Sequence, residues 1–384
     1  MHVVDATLFF SPTSGGVKRY LLAKHDWMRE HTSWRHSIVV PGEERTHAPG
    51  HISQVRGGRV PGAFNYRLPL NPLRWSRAIE ALEPDLIEVG DAFHPAWAAS
   101  RVANRRGIPL VAFYHSNLPQ LAGRRLGKSV QKFIEWYIRQ TYSRCALVLA
   151  PSRHTCDYLH SIGVMHAVCQ PLGVDVDNFH PSRRERDLAC ELGLPRGTRV
   201  LAFAGRFSAE KNIPLLTEAF RLLGDRYHLL LVGGDEARRD GNVTRIPYCR
   251  DNRQLARYLA SVDAFVHAGM HETFGLVVLE AMACGRPVVA MRAGALPELV
   301  ADGTGLLSEP HDDADISASR FAASVAALYE HDLDAMGAAA RQHVETHYSW
   351  SRALQVLMTR YQAAVSSPNR VMAAGTFEGA GSIQ

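Results

Sequence analysis

The sequence predicts an α/β protein of two domains, each a parallel sheet flanked by helices. Three observations lead there. Short apolar runs of strand length, within 1–10 and at 37–40, 84–89, 109–114 and 146–150, alternate with helical patterns at 18–28, 72–82, 95–105 and 123–145. Such alternation marks β-α-β units and a parallel sheet. The alternation then restarts, with strands at 200–204, 227–234, 243–247 and 263–267. Finally, 384 residues, 46% of them hydrophobic, suffice for about two ordinary domains. The two halves show no internal repeat.

Composition narrows the class. The six cysteines (Cys145, Cys156, Cys169, Cys190, Cys249, Cys284) form no C-x-x-C pair. That argues against a zinc ribbon or a disulfide framework and for a reducing, cytoplasmic compartment. No basic n-region with a cleavage site opens the chain, so a signal peptide is not expected. No apolar run reaches the length of a membrane span. Residues 1–172 carry 21 Lys and Arg against 12 Asp and Glu, a net of +9, which leaves −4 for the rest of a chain of +5. A basic first half suits an anionic acceptor or membrane surface, or is simply a solvated surface.

One stretch carries most of the chemistry: His271-Glu272-Thr273-Phe274-Gly275-Leu276-Val277-Val278-Leu279-Glu280-Ala281-Met282-Ala283-Cys284-Gly285. Gly275 precedes a run of helix formers, and Gly285 with Pro287 ends it. Glu272 therefore sits in the loop before a helix and Glu280 inside it. The helix start offers free N–H groups and partial positive charge, which suit a phosphate. Glu280 can accept hydrogen bonds from a ribose. The combination fits a nucleoside diphosphate carrying a sugar.

This stretch resembles the E-x7-E signature of GT-B fold retaining glycosyltransferases, family 4 (glycosyl transferases group 1). The resemblance implies that Glu272 meets the donor sugar's hydroxyls. It assigns the diphosphate to the backbone of Thr273, Phe274, Gly275 and Leu276, and the ribose to Glu280. It extends over nearly all of 1–363. Gly205-Arg206-Phe207-Ser208-Ala209-Glu210-Lys211-Asn212 resembles the family's G-R-x-x-x-E-K-G, which gives Arg206 and Lys211 to the diphosphate. Asn212 replaces the usual glycine but tolerates a left-handed turn as glycine does. Ser11-Pro12-Thr13-Ser14-Gly15-Gly16 resembles the family's double-glycine loop, with Gly15 and Gly16 near the donor diphosphate or the acceptor. His115, in Phe113-Tyr114-His115-Ser116-Asn117, closes a strand, where ligands of open parallel sheets bind. The resemblance brings His115 to the donor sugar, and Ser116 and Asn117 toward the acceptor. Two departures stand out. Gly233-Gly234-Asp235-Glu236 replaces G-x-G-P, and Ala268-Gly269 replaces a frequent Pro-Ser.

The remaining segments fit the same plan. Residues 51–71 read as loop with short strands, and Ser152 as a helix cap. Residues 123–145 carry Arg124, Arg125, Lys128, Lys132, Arg139 and Arg144 against Glu135, with a stripe of Val130, Phe133, Ile134, Tyr137 and Ile138. Such a helix either lies on an anionic membrane or buries its stripe in the domain core. Residues 171–181 resemble the family's interdomain linker, and the Asp175-x-Asp177 pair within them reads as turn chemistry, not as a metal site. Gly294-Ala295-Leu296-Pro297-Glu298 resembles the family's G-G-x-x-E helix start.

The expected layout is 1–172 as an acceptor-side Rossmann-like domain and 173–347 as the nucleotide-sugar domain, facing it across a cleft. A helix over 348–365 crosses back to the first domain, and 366–384 is a disordered tail. The expected enzyme is a hexosyltransferase working in glycolipid or polysaccharide biosynthesis. It takes a nucleotide-diphosphate sugar as donor and a lipid or saccharide hydroxyl as acceptor, with His115, Arg206, Lys211 and Glu272 catalytic. No motif requires a metal or a cofactor, and no nucleic-acid module is recognised. Cytoplasmic location with peripheral contact at the inner membrane face, through 123–145, completes the expectation. A GT-B epimerase or hydrolase and a non-catalytic nucleotide-sugar-binding protein are the alternatives.

Overall fold

The computed structural model describes the chain except residues 11–14, 43–46, 49–50, 60–66, 186–187, 250 and 367–384. The expected tail, from 367 on, and Ser11–Ser14 of the double-glycine loop thus lie outside the described residues. Two compact units result: Met1–Pro171 with the chain from Ala353 on, and Leu172–Arg352.

In the first unit the strand His2–Ala6 lies between Arg35–Gly42 and Leu86–Val89, parallel to both. Ile52–Arg56 continues the sheet on one side, edged by the antiparallel pair His47–Ala48. Leu110–Phe113, Leu147–Ala150 and Ala167–Cys169 continue it on the other, all parallel. Leu86–Val89, Leu110–Phe113 and Leu147–Ala150 are buried at every position. Continuous apolar runs of this kind are what a sheet covered on both faces requires. The chain order reverses beside His2–Ala6, which makes the ends of its neighbours the crevice where such sheets take ligands.

A fully buried polar cluster holds this unit's helices to its sheet. Lys24 Nζ, from the helix Gly16–His31, lies within hydrogen-bond distance of Asp5 Oδ1 at 2.8 Å, Glu88 Oε1 at 2.9 Å, Tyr20 OH at 3.1 Å and Tyr361 OH at 3.0 Å. Tyr361, on the helix Trp350–Ser366, also donates to Glu88, and His36 Nε2 pairs with Asp5. Burial pushes the Glu88 carboxyl up while the Lys24 ammonium pulls it down. One buried cation thus serves two carboxylates on adjacent strands.

The expected single helix over 123–145 is two: Leu118–Leu126 and Lys128–Tyr142, broken at Gly127, whose φ of 94° lies in the region glycine alone enters freely. Ile138 and Tyr142 are buried and Ile134 and Tyr137 half-buried, so part of the stripe is core. Phe133, expected in that stripe, is 63% exposed, Trp136 is 50% exposed and Leu126 69%.

The second unit repeats the plan. Arg199–Ala204 lies between Tyr227–Gly234 and Ala264–His267, with Val243–Pro247 beyond the first and Val288–Met291 and Gly305–Ser308 beyond the second, all parallel. An antiparallel edge strand, Arg238–Asp240, was not evident from the sequence because all three of its residues are polar and exposed. Asp175 Oδ1 accepts from Asn178 N at 2.9 Å, the turn chemistry read from the sequence.

Lys24→Met removes the cation and leaves Asp5 and Glu88 buried together, which should cost about 3–5 kcal/mol in urea unfolding. Tyr361→Phe keeps both ion pairs and should cost less, about 1–3 kcal/mol. Equal and small losses would mean that the cluster carries no net electrostatic weight.

Candidate active site

In the second unit the chain crosses the strand ends where its order reverses. Arg199–Ala204 delivers Gly205 and Arg206, and the short 3-10 turn Ala209–Lys211 follows, ended by Asn212 at φ 51° and ψ 46°. Asn212 therefore supplies the left-handed turn that the sequence asked of it. Arg206 is exposed, with no ion pair among the described residues. Gly205 (φ 144°) and Gly233 (φ 134°) touch back to back: a Cβ on Gly233 would stand 2.0 Å from the Gly205 carbonyl oxygen. That close approach requires a glycine at 233, the position this chain shares with the family's G-x-G-P.

Lys211 and Glu272, 61 residues apart, meet in an ion pair, their side chains 19% and 15% exposed. His267 Nε2 stands 3.3 Å from the same oxygen, Glu272 Oε2. Burial pushes the Glu272 carboxyl up, but the Lys211 charge and the contact with His267 outweigh it and hold the group well below the usual carboxylate range. Glu272 is therefore an anion and a hydrogen-bond acceptor at neutral pH, and a poor base.

The backbone around Glu272 is gripped from outside. Ala295 N donates to Glu272 O at 2.9 Å. Gly294, at φ 57°, lies so close that a Cβ there would stand 2.7 Å from the same carbonyl oxygen. Gly275, at φ 100° and ψ 48°, turns the chain into the helix Leu276–Ala283, whose start has no side-chain cap. Its first N–H groups are thus open to an anion. Phe274 is 4% exposed and packs on Tyr348, so its backbone rather than its ring faces any ligand, while Thr273 and Leu276 are half-buried. Glu280 lies inside the helix, 2% exposed.

In the first unit Gly16 opens the helix Gly16–His31, and a Cβ on Gly15 would meet open space. His115 follows the strand Leu110–Phe113. Its ring stacks on Phe113 at 4.4 Å and lies 5.4 Å from Tyr20. Burial pulls its pKa down to about 4, so the ring is neutral at pH 7. It lines a small pocket with Asp91, Phe93, Tyr114, Ser116 and Tyr137, while Ile134 and Ile138 line it from the helix Lys128–Tyr142. Asn117 is spent on structure: its Oδ1 caps the helix Leu118–Leu126 through Gln120 N.

Two residues of these sites were not singled out from sequence. Asp91 accepts from Leu8 N at 2.7 Å, Thr7 Oγ1 at 3.1 Å and Phe93 N at 3.0 Å, and burial pushes it up to about 6 against those bonds. His267 is the other. Asp91 and His267 obey the strand-end rule that pointed to His115, one after Leu86–Val89 and the other closing Ala264–His267.

Family models match both halves: Glycosyltransferase Family 4 over residues 14–178 and Glycosyl transferases group 1 over 198–331. A GDP-mannose-dependent alpha-mannosyltransferase of Mycobacterium tuberculosis is 31% identical over 310 residues, 78% of this chain and 81% of that one. The chain belongs to the family 4 (group 1) glycosyltransferases. It is a nucleotide-sugar-dependent enzyme of GT-B fold, with two Rossmann-like domains. A GDP-mannose-dependent alpha-(1-6)-phosphatidylinositol dimannoside mannosyltransferase of the same species is 29% identical to this transferase over 331 residues, 82% of this chain and 85% of that one. Among solved structures, sucrose-phosphate synthase of Thermosynechococcus elongatus superposes with a TM-score of 0.78 at 21% identity, covering 95% and 99% of the two chains. An Anabaena protein solved with UDP-glucose (Alr3699/HepE) gives a TM-score of 0.71 at 18% identity, covering 94% of this chain and all of that one (100%).

A histidine pulled down to about 4 stays neutral as pH falls through 6.5, where a free imidazole is half protonated. The His115 ring signals, assigned by their loss in His115→Gln, should hold the neutral shift from pH 8 to about pH 5. Titration near 6.5 would mean that the ring is solvated.

Proposed function

We propose that this transferase moves mannose from GDP-mannose, with retention, onto a hydroxyl of an anionic lipid-linked acceptor at a membrane surface. The observation that carries the donor site is the meeting of Lys211, Glu272 and an uncapped helix start at one sheet's strand ends. When the donor enters, the diphosphate competes with Glu272 for Lys211. Arg206, Lys211 and the N–H groups after Gly275 neutralise the charge that grows on the leaving diphosphate. Glu272, an anion released from part of its ion pair, accepts from the sugar hydroxyls, and Glu280 accepts from the ribose. His115, neutral, hydrogen-bonds the sugar. Because Glu272 is a poor base, the reaction relies on leaving-group stabilisation and positioning. That agrees with departure and attack on one face of the sugar. Relatives named as GDP-mannose-dependent support the donor.

The membrane part rests on the helices Leu118–Leu126 and Lys128–Tyr142. Leu126, Phe133 and Trp136 are exposed, with exposed Arg124, Arg125, Lys128 and Lys132 on the same two helices. Aromatic groups with basic neighbours suit the boundary of an anionic bilayer. No described helix is long and apolar enough to cross one.

GDP-mannose should raise the melting temperature of the wild type more than UDP-glucose does, and Glu280→Ala should lose that rise. A rise with UDP-sugars alone would replace the donor. In flotation assays the protein should join anionic but not zwitterionic vesicles, and Phe133→Ser with Trp136→Ser should abolish the binding. Equal recovery of wild type and double variant with anionic vesicles would remove this face from the membrane contact.

A further inference from the structure

We infer that His267 is a positioning residue: the Gly269 backbone sets its tautomer, and its Nε2–H orients the Glu272 carboxylate for the donor sugar. The inference deepens the donor-site reading above and rests on it.

His267 closes the strand Ala264–His267 and is fully buried, its ring 5.6 Å from that of Phe203. Gly269 N donates to its Nδ1 at 3.1 Å. A ring nitrogen that accepts carries no proton, so the proton of the neutral ring sits on Nε2. Nε2 in turn lies 3.3 Å from Glu272 Oε2, close enough to donate, yet it makes no aligned hydrogen bond there and is buried without a hydrogen-bond partner among the described residues. Catalytic hydrogen bonds are often long or poorly aligned before substrate binds. Burial lowers the affinity of this ring for a second proton, which keeps it a neutral donor.

The neighbourhood is shaped for this ring. A Cβ on residue 269 would stand 2.6 Å from His267 Cε1 and 3.1 Å from the Glu210 carbonyl oxygen. A serine there, as the family often has, would force the imidazole to shift. Gly269 and the His267 ring are therefore fitted to each other.

Its use follows from the carboxylate's two oxygens. Lys211 and His267 both approach Oε2. Once Lys211 turns to the diphosphate, His267 still fixes Oε2. Oε1 then faces the sugar at a set angle. A core histidine with no such role would only fill space, which phenylalanine does equally well.

The test compares His267→Phe, which fills the volume without a donor, and His267→Gln, which can restore one. GDP and GDP-mannose are titrated separately, with UDP and UDP-glucose as a parallel pair. His267→Phe should weaken nucleotide-sugar binding or kcat/KM by about 10- to 100-fold, leave nucleoside diphosphate affinity within about 2-fold, and be partly rescued by glutamine. In a Glu272→Gln background it should cost nothing further. Gly269→Ala should reproduce the loss. Equal weakening of diphosphate and sugar nucleotide, or a cost that adds to that of Glu272→Gln, would overturn the inference. If the wild type binds no nucleoside diphosphate, the donor-site reading falls and takes this inference with it. Nitrogen-15 NMR of the wild-type histidines decides independently of activity and of any variant's folding. The expected signature is a neutral ring protonated at Nε2 from pH 6 to 8, and a proton on Nδ1 overturns the inference.

Discussion

The half-buried carboxylate of Glu272 is the constraint around which the proposed donor site is arranged. Burial alone would neutralise it. Lys211 supplies the opposite charge, His267 an imidazole nitrogen 3.3 Å away, and the Gly294–Ala295 backbone a hold on its main chain. A partly buried ion pair is a poor source of stability, because desolvation offsets much of the attraction. Its value here is that both partners are charged, close and exchangeable. A diphosphate can take the cation, and sugar hydroxyls can take the anion.

Both units solve the same architectural problem in the same way. A first strand in mid-sheet, flanked by strands added on either side, opens a crevice at the carboxyl ends. Arg206, His267 and Glu272 sit at those ends in one unit, and Asp91 and His115 in the other. The polar clusters nevertheless differ in kind. Around Lys24 everything is sealed, and the cluster ties helices to a sheet. Around Lys211 solvent still reaches, and the cluster can change partners.

The helix Lys128–Tyr142 has two uses. Ile134, Tyr137 and Ile138 line the pocket beside His115, while Phe133 and Trp136 face outward. An amphipathic pattern in sequence cannot separate these uses, since apolar residues on the two faces read as one broad stripe. Only the break at Gly127 and the packing of Ile138 and Tyr142 set which side is core.

Much was legible in the chain itself. Strand and helix alternation showed the α/β class and the two halves. The Glu272 to Gly285 run showed a loop, a glycine turn and a helix, because Gly275, Gly285 and Pro287 punctuate it locally. Asn212 and Ser152 were legible for the same reason: turns and caps depend on near neighbours. The sequence by itself therefore determined the fold class and the family, and it named the candidate residues for a nucleotide sugar. Tertiary structure alone decided the contacts between distant residues. It brought Lys211 across 61 positions to Glu272, set His267 against both Gly269 and that carboxylate, and closed Gly233 on Gly205. It also exposed Phe133 while burying Ile138. Such outcomes depend on through-space desolvation and steric exclusion, and neither leaves a mark on local sequence pattern.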